Sequence, residues 1–318
     1  GQLEGHGRLF RSEHEGRNAR RRDALTGAAG YTRRPLRHRA RVVSASSLLI
    51  VDGLPGSRRA RLAQEIALQL EADGVDCVHR HVAERGHPLR RPWEPERYAT
   101  PAAYADTLLM QWENFATRAR AEGGLHVMDR VLLGPPMALL AAGALDADAA
   151  RALGETLFAA LAPLAPTLVY LRGPDREADP LACSVADGVF AALEAPRVLL
   201  NIERSTPDDR LADALGLLGH APRTLQLEAG LAARLAGLYA GGEDDTVVRL
   251  ADRDAGLEIR GLPTVDAGEA RDLLPAVDGR LLVAGLDLAL RPQLARDGGI
   301  AGLLTESADP RLDGLHPF

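Results

Sequence analysis

The residues best suited to chemistry stand in one short glycine-rich loop. Gly53-Leu54-Pro55-Gly56-Ser57 follows the apolar run 48–51 and precedes a helical pattern in which Leu62, Ile66 and Leu70 recur every four residues. The backbone N–H groups of such a loop, together with the N-terminus of the next helix, can bind an anion such as phosphate. The spacing therefore predicts a phosphate-binding loop in which Gly53, Gly56 and Ser57 hold the ligand.

The sequence of this loop resembles GLPGSGKST, the phosphate-binding loop of P-loop kinases in the thymidylate-kinase-like group. The resemblance implies ATP and Mg²⁺ as cofactors, yet it breaks at three positions: Arg58 stands at the second motif glycine, Arg59 at the lysine and Ala60 at the Ser/Thr. A side chain at the glycine competes with the phosphates for space. Arginine is longer and planar, and alanine offers no oxygen to Mg²⁺. The loop therefore predicts a kinase-like fold with damaged ATP chemistry.

Two further groups of residues match the same family. Glu84 and His87-Pro88 follow the second predicted strand, where the resemblance implies the phosphate acceptor site; the alternative is an ordinary polar loop. Asp129-Arg130 ends the apolar run 125–128, and an acid at the carboxyl end of a buried parallel strand lies where open α/β sheets bind ligands. The resemblance implies that this pair contacts the acceptor or Mg²⁺, and a structural salt bridge is the alternative. Glu84, His87, Asp129 and Arg130 are thus the candidate catalytic residues.

The arginine-rich lid that the resemblance implies is thin in this chain. Between residues 172 and 196 the arginines are Arg172 and Arg176, and acidic residues outnumber them. A lid clamps the transferring phosphates with positive charge, so this segment departs from the family in the same direction as the loop.

The elements that must position these residues follow an alternating order. Five short apolar runs predict strands at residues 48–51, 75–82, 125–128, 166–172 and 197–202, and helical periodicity fills most of the intervals between them. Strands that alternate with helices predict an α/β fold with a doubly wound parallel sheet of about five strands. The resemblance gives this sheet the P-loop NTPase type, over residues 44–222.

The pattern changes after about residue 225. Short runs at residues 247–250, 257–260, 280–283, 286–290 and 300–304 are separated by Asp/Gly turns. Closely spaced strands with such turns predict a small antiparallel β module over residues 223–318. It is similar to a β module appended to some kinase-like and hydrolase proteins, and a protein partner would bind through it.

The amino-acid composition restricts the possible chemistry, genome type and cellular compartment of the protein. All 38 basic residues are arginine, which excludes lysine chemistry and indicates a GC-rich bacterial genome. Residues 1–43 carry 11 arginines against 4 acids, which predicts a basic disordered extension, and the remaining residues carry a net charge of −13. No membrane span is evident, and the isolated Cys77 and Cys183 favour a reducing cytoplasm. We expect a small-molecule or nucleotide-like ligand and no nucleic acid.

Three functional hypotheses follow from these residues. The first is a pseudoenzyme or ligand-binding accessory protein with weak or no use of ATP. The second is an ATP-dependent small-molecule phosphotransferase that binds phosphate through Arg58 and Arg59, with Asp129 as general base or metal ligand. The third is a biosynthetic enzyme whose site was rebuilt around Glu84, His87 and Asp129, since a fold alone does not fix a function.

Overall fold

The computed structural model describes residues 46–82, 87–90, 93–94, 96–173, 179–241, 246–253, 256–263, 265, 269–307 and 316–317. The described residues all belong to one compact unit. The predicted basic extension, residues 1–43, lies outside the described residues.

The first part of the described chain alternates strands with helices. The strands are β1 (Leu48–Gly53), β2 (Cys77–Arg80), β3 (Leu125–Asp129), β4 (Thr167–Arg172) and β5 (Arg197–Asn201). The helices are α1 (Arg59–Ala72), α2 (Pro101–Glu122), α3 (Gly134–Ala141), α4 (Ala147–Leu161), α5 (Pro180–Ala192) and α6 (Pro207–Leu217). The five strands form one parallel sheet in the order β2-β3-β1-β4-β5. The predicted α/β class with a five-stranded parallel sheet is confirmed.

Strand β1 lies at the centre of this sheet and is buried on both faces. Leu49 and Val51 pack against α1 and α6, whereas Leu48 and Ile50 pack against α2, α4 and α5. The helix that follows β1 therefore covers one face of the sheet, and the helices that follow β3 cover the other. In open α/β sheets ligands bind where neighbouring strands send their connections to opposite faces. That place is the crevice at the carboxyl ends of β1 and β3.

The C-terminal part of the chain forms an antiparallel sheet. After the short helix α7 (Leu231–Leu235), the strands are β6 (Gly237–Gly241), β7 (Thr246–Arg253), β8 (Gly256–Arg260), β9 (Arg271–Pro275), β10 (Leu281–Val283), β11 (Leu288–Leu294), β12 (Ile300–Ser307) and β13 (His316–Pro317). Their order is β12-β11-β10-β9-β8-β7-β6-β13, and the two outer strands lie side by side. The predicted antiparallel module is confirmed, with β6, β9 and β13 added to the predicted strands.

Helix α1 packs against this second sheet as well as against the first. Leu68 contacts Leu274 and Ala284 in a small apolar cluster. The amide of Gln64, a residue only 1% exposed, donates to the Leu286 carbonyl at 2.8 Å and accepts from the Gly285 N–H at 2.6 Å. Helix α1, which follows the glycine loop, is therefore held between the parallel sheet and the antiparallel sheet.

Candidate functional site

The glycine loop connects β1 to α1 and leaves no room for a side chain at its first residue. A Cβ atom on Gly53 would lie 2.5 Å from the Leu171 carbonyl oxygen and 2.7 Å from the Ser57 hydroxyl. Gly56 has a φ of +83°, which L-residues rarely adopt. The Ser57 N–H donates to the Leu54 carbonyl at 3.2 Å and closes the turn. Both glycines are thus required by the geometry of the loop.

Arg58 has a backbone conformation that suits glycine. Its φ of 59° and ψ of 28° place it in the left-handed region, where it caps the N-terminus of α1 without a side-chain hydrogen bond. For a residue with a Cβ atom this conformation costs about 1–2 kcal/mol. The Arg58 side chain is exposed. The loop therefore keeps a turn that glycine would adopt freely and places an arginine on its outer side.

Arg59 points in the opposite direction, into the crevice between β1 and β3. Its Nη1 donates to the Gly53 carbonyl, and its Nε lies 3.9 Å from the Asp129 carboxylate. The side chain is only 12% exposed. Burial lowers the pKa of Arg59, and the negative charges of Asp52 and Asp129 oppose that shift. The residue at the expected lysine position thus lies at ion-pair distance from Asp129 and within the electrostatic influence of Asp52.

Asp52 is a member of the site that the sequence analysis missed. It is fully buried at the end of β1, and its carboxylate accepts backbone N–H groups from Gly53 at 2.8 Å, Leu132 at 2.7 Å and Leu133 at 3.0 Å. Burial raises the pKa of Asp52, while the charge of Arg59 and the three N–H donors act against the rise. An acid directly between a buried apolar run and a glycine loop was the available signal.

Asp129 ends β3 on the other side of the crevice. It is 2% exposed, and its Oδ2 lies 3.4 Å from Nε of Arg130, which itself has a left-handed φ of 63°. Burial raises the pKa of Asp129, and the charges of Arg130, Arg59 and His81 oppose the increase. The second oxygen, Oδ1, is buried without a hydrogen-bond partner among the described residues. Asp129 thus has an ion pair and one acceptor position left over.

The histidine of the predicted acceptor segment is part of the packed interior. His87 is 8% exposed, and its ring meets Trp112 edge-on at 5.9 Å. Its Nδ1 accepts the Leu89 N–H at 3.0 Å. Burial, together with the charges of His81 and Arg80, lowers the pKa of His87 to about 4, so the ring is neutral at pH 7. Glu84, the other predicted residue of this segment, lies outside the described residues.

The donor set of the crevice does not fit Mg²⁺. This ion prefers one or two free carboxylates together with hydroxyl, phosphate or water oxygens. Ala60 supplies no oxygen, Asp52 already accepts three N–H groups, and Asp129 faces two guanidinium groups. Within the described part of the chain, no group of three or more His, Cys, Asp or Glu side chains is placed to hold a metal ion.

Of the two arginines in the predicted lid segment, the structure describes Arg172. The Arg172 guanidinium at the end of β4 lies 3.2 Å from the Asp187 carboxylate, which also accepts the Tyr170 hydroxyl at 3.0 Å. Arg176 lies outside the described residues. Arg172 is therefore held by α5.

Comparison with known proteins adds no relationship: neither a protein-family model nor a curated protein matches the sequence. Within the ranges that the structure describes, no helix combines the length and apolar character needed to cross a membrane. The functional argument therefore depends on the geometry of the crevice and its surroundings.

Proposed function

We propose that this chain is a P-loop-kinase-like protein whose glycine loop does not use Mg·ATP, and that it acts as a pseudoenzyme or ligand-binding accessory protein. One observation carries the proposal: the Arg59 guanidinium lies inside the crevice, on the Gly53 carbonyl and beside Asp129. In an ATP-using loop, the residue at this position reaches the β- and γ-phosphates. Here the same residue is engaged by the protein itself.

Moving Arg59 onto a phosphate would have an energetic cost. Its side chain would leave Asp52 and Asp129, two carboxylates that are nearly inaccessible to water. Asp129 would keep Arg130 at 3.4 Å, but both buried carboxylates would lose the positive charge of Arg59, which is unfavourable. A nucleotide would have to offset that cost without metal coordination from Ala60. The balance favours a loop that does not bind Mg·ATP.

Calorimetric titration of Mg·ATP into the full chain tests this proposal. We expect no Mg²⁺-dependent binding in the micromolar range. The triple variant Arg58→Gly, Arg59→Lys and Ala60→Ser restores the usual loop and should gain Mg²⁺-dependent affinity. Ala60→Ser alone is the matched control, because it adds the hydroxyl but leaves Arg59 between its carboxylates. Micromolar, Mg²⁺-dependent binding by the unmodified protein would refute the proposal and support the phosphotransferase.

The hypothesis of a site rebuilt around Glu84, His87 and Asp129 has less support. The His87 Nδ1 is already an acceptor for the Leu89 N–H, and the ring packs against Trp112. A general base needs an accessible nitrogen within hydrogen-bond distance of the substrate. The buried position of His87 favours a role in packing.

A further inference from the structure

A groove of about 550 Å³ opens on the edge of the parallel sheet opposite the glycine loop. It lies where strand β4 begins, at Thr167, and where helices α4 and α6 end. Phe158, Pro166, Leu217 and Leu218 give the groove a largely apolar wall. Sites for small molecules in proteins typically have volumes of about 300–1,000 Å³. The groove therefore has room for a small organic molecule.

Helices α4, α5 and α6 all end at this edge of the sheet. The carboxyl end of an α-helix carries a negative charge of about half an elementary charge. At α5 the fold itself compensates this charge, because the Arg197 guanidinium donates to the carbonyl oxygens of Phe190 and Leu193. Helices α4 and α6 are described throughout, and neither has a basic residue in its last turn. Two helix ends at the groove therefore keep their negative charge.

Glu194 adds a carboxylate to the groove. This residue follows α5, lines the groove and is exposed. Among the described residues that line the groove, none is an arginine or a histidine. His220, which comes directly after the lining residue Gly219, contacts Asp73 through its Nδ1 at 2.7 Å. The groove thus combines apolar walls with a negative potential that its described lining does not neutralise.

We infer that this groove binds a small organic cation, namely a primary ammonium group on an apolar body. The apolar body would pack on Phe158 and Leu217, and the ammonium group would lie at the ends of α4 and α6, beside Glu194. Helix carboxyl ends and carboxylates both favour cations over anions and neutral groups. The inference goes beyond the proposed function, because the groove lies where β4 begins, whereas the crevice with Asp129 lies at the carboxyl ends of the same parallel strands.

Calorimetric titration of three probes with the same apolar body into the full chain tests the inference. Phenylbutylamine carries an ammonium group, phenylbutanol a hydroxyl group and phenylbutyrate a carboxylate. We expect the amine to bind at millimolar concentration or below. It should bind about tenfold more tightly than the alcohol, because two helix ends and one exposed carboxylate each contribute modestly. Phenylbutyrate should bind more weakly than the alcohol.

Two variants reduce the negative potential in different ways. Glu194→Gln removes the exposed carboxylate and should weaken binding of the amine about two- to fivefold, while the alcohol binds as before. Ala162→Arg places a guanidinium at the end of α4, on an exposed residue that lines the groove. It should weaken binding of the amine about fivefold or more. Ala152→Arg is the matched control, because it adds the same charge to an exposed residue of α4 that does not line the groove. The control should bind the amine as the unmodified protein does.

The inference is overturned if the three probes bind equally well, or if the amine does not bind at millimolar concentration. It is also overturned if Ala152→Arg weakens binding of the amine as much as Ala162→Arg does, because the net charge would then be responsible. Sedimentation velocity tests another occupant. We expect Ala162→Arg to leave the oligomeric state unchanged, and a dimer that this variant converts to a monomer would assign the groove to a second copy of the chain and overturn the inference. The Mg·ATP titration judges the proposed function separately, because it reports on the opposite edge of the sheet.

Discussion

Replacing Asp52 by asparagine should be among the most destabilising single changes in the crevice. The carboxylate is fully buried and accepts three backbone N–H groups, one from Gly53 and two from the turn after β3. Its charge also acts on the buried guanidinium of Arg59. An asparagine side chain would keep the shape but would carry no charge, and one end of its amide would present N–H groups to backbone donors.

The expected magnitude follows from these contacts. The amide oxygen can still accept the N–H groups of Leu132 and Leu133, while the Gly53 N–H would lose its acceptor. One lost hydrogen bond to a charged group costs about 1.5–3 kcal/mol. The charge of Asp52 adds little to this, because burial raises its pKa and Arg59 only partly offsets that rise. We therefore expect the free energy of unfolding to fall by about 1.5–3 kcal/mol.

Urea denaturation followed by circular dichroism measures this change, with Asp106→Asn on the exposed face of α2 as the matched control. A double-mutant cycle with Arg59→Met isolates the interaction: the combined variant should lose about 0.5–3 kcal/mol less than the sum of the two single changes. The reasoning is wrong if Asp52→Asn costs no more than its control. It is also wrong if the two single effects simply add, because the charges of Asp52 and Arg59 would then not be coupled.

Three other residues give further expected outcomes. The pKa of His87 is about 4 in the folded state and about 6.5 in the unfolded state, so the folded state binds fewer protons between these values. The free energy of unfolding should therefore be at its full value above pH 6.5 and fall by about 3 kcal/mol toward pH 4. The variant His87→Phe should show a shallower loss. Urea midpoints at several pH values measure this. Arg58→Gly relieves a left-handed backbone, and after the chain entropy of glycine is subtracted it should raise the free energy of unfolding in urea by about 0.5–1 kcal/mol. Gln64→Ala removes the amide that bonds Gly285 and Leu286 and should cost about 2–3 kcal/mol in thermal unfolding; a neutral result would show that the two sheets do not depend on this contact.

The parallel sheet could be predicted because strands that are buried on both faces consist of continuous apolar residues. Strands β1, β3 and β4 lie in the interior of the sheet and have continuous apolar runs. The edges were less distinct: the second strand was predicted over residues 75–82 and spans Cys77–Arg80. In the antiparallel sheet, β6 and β9 were missed because each contains only one or two buried residues, so their alternating pattern is weak.

The site could be predicted only as far as its residues are close in sequence. The loop and the acid at the end of β3 follow from local pattern and from the general location of ligands in open sheets. The hydrogen bonds of Asp52 reach Leu132 and Leu133, about 80 residues away, and no periodicity encodes them. The direction of an arginine side chain is likewise a tertiary property. Two consecutive arginines look equivalent in the sequence, yet the side chain of Arg59 is only 12% exposed whereas Arg58 is exposed.

The three departures from the usual loop form one electrostatic arrangement. Asp52 and Asp129 place two negative charges in a crevice that water scarcely reaches, and buried charges need partners. Mg²⁺ with a bound phosphate could neutralise these charges only if residue 60 supplied an oxygen ligand and Asp129 were open to the metal. Arg59 and Arg130 supply the positive charge and need neither condition. With the crevice neutralised internally, restoring the hydroxyl at residue 60 alone should not give the loop Mg²⁺-dependent affinity for ATP, because Arg59 would still lie beside Asp129.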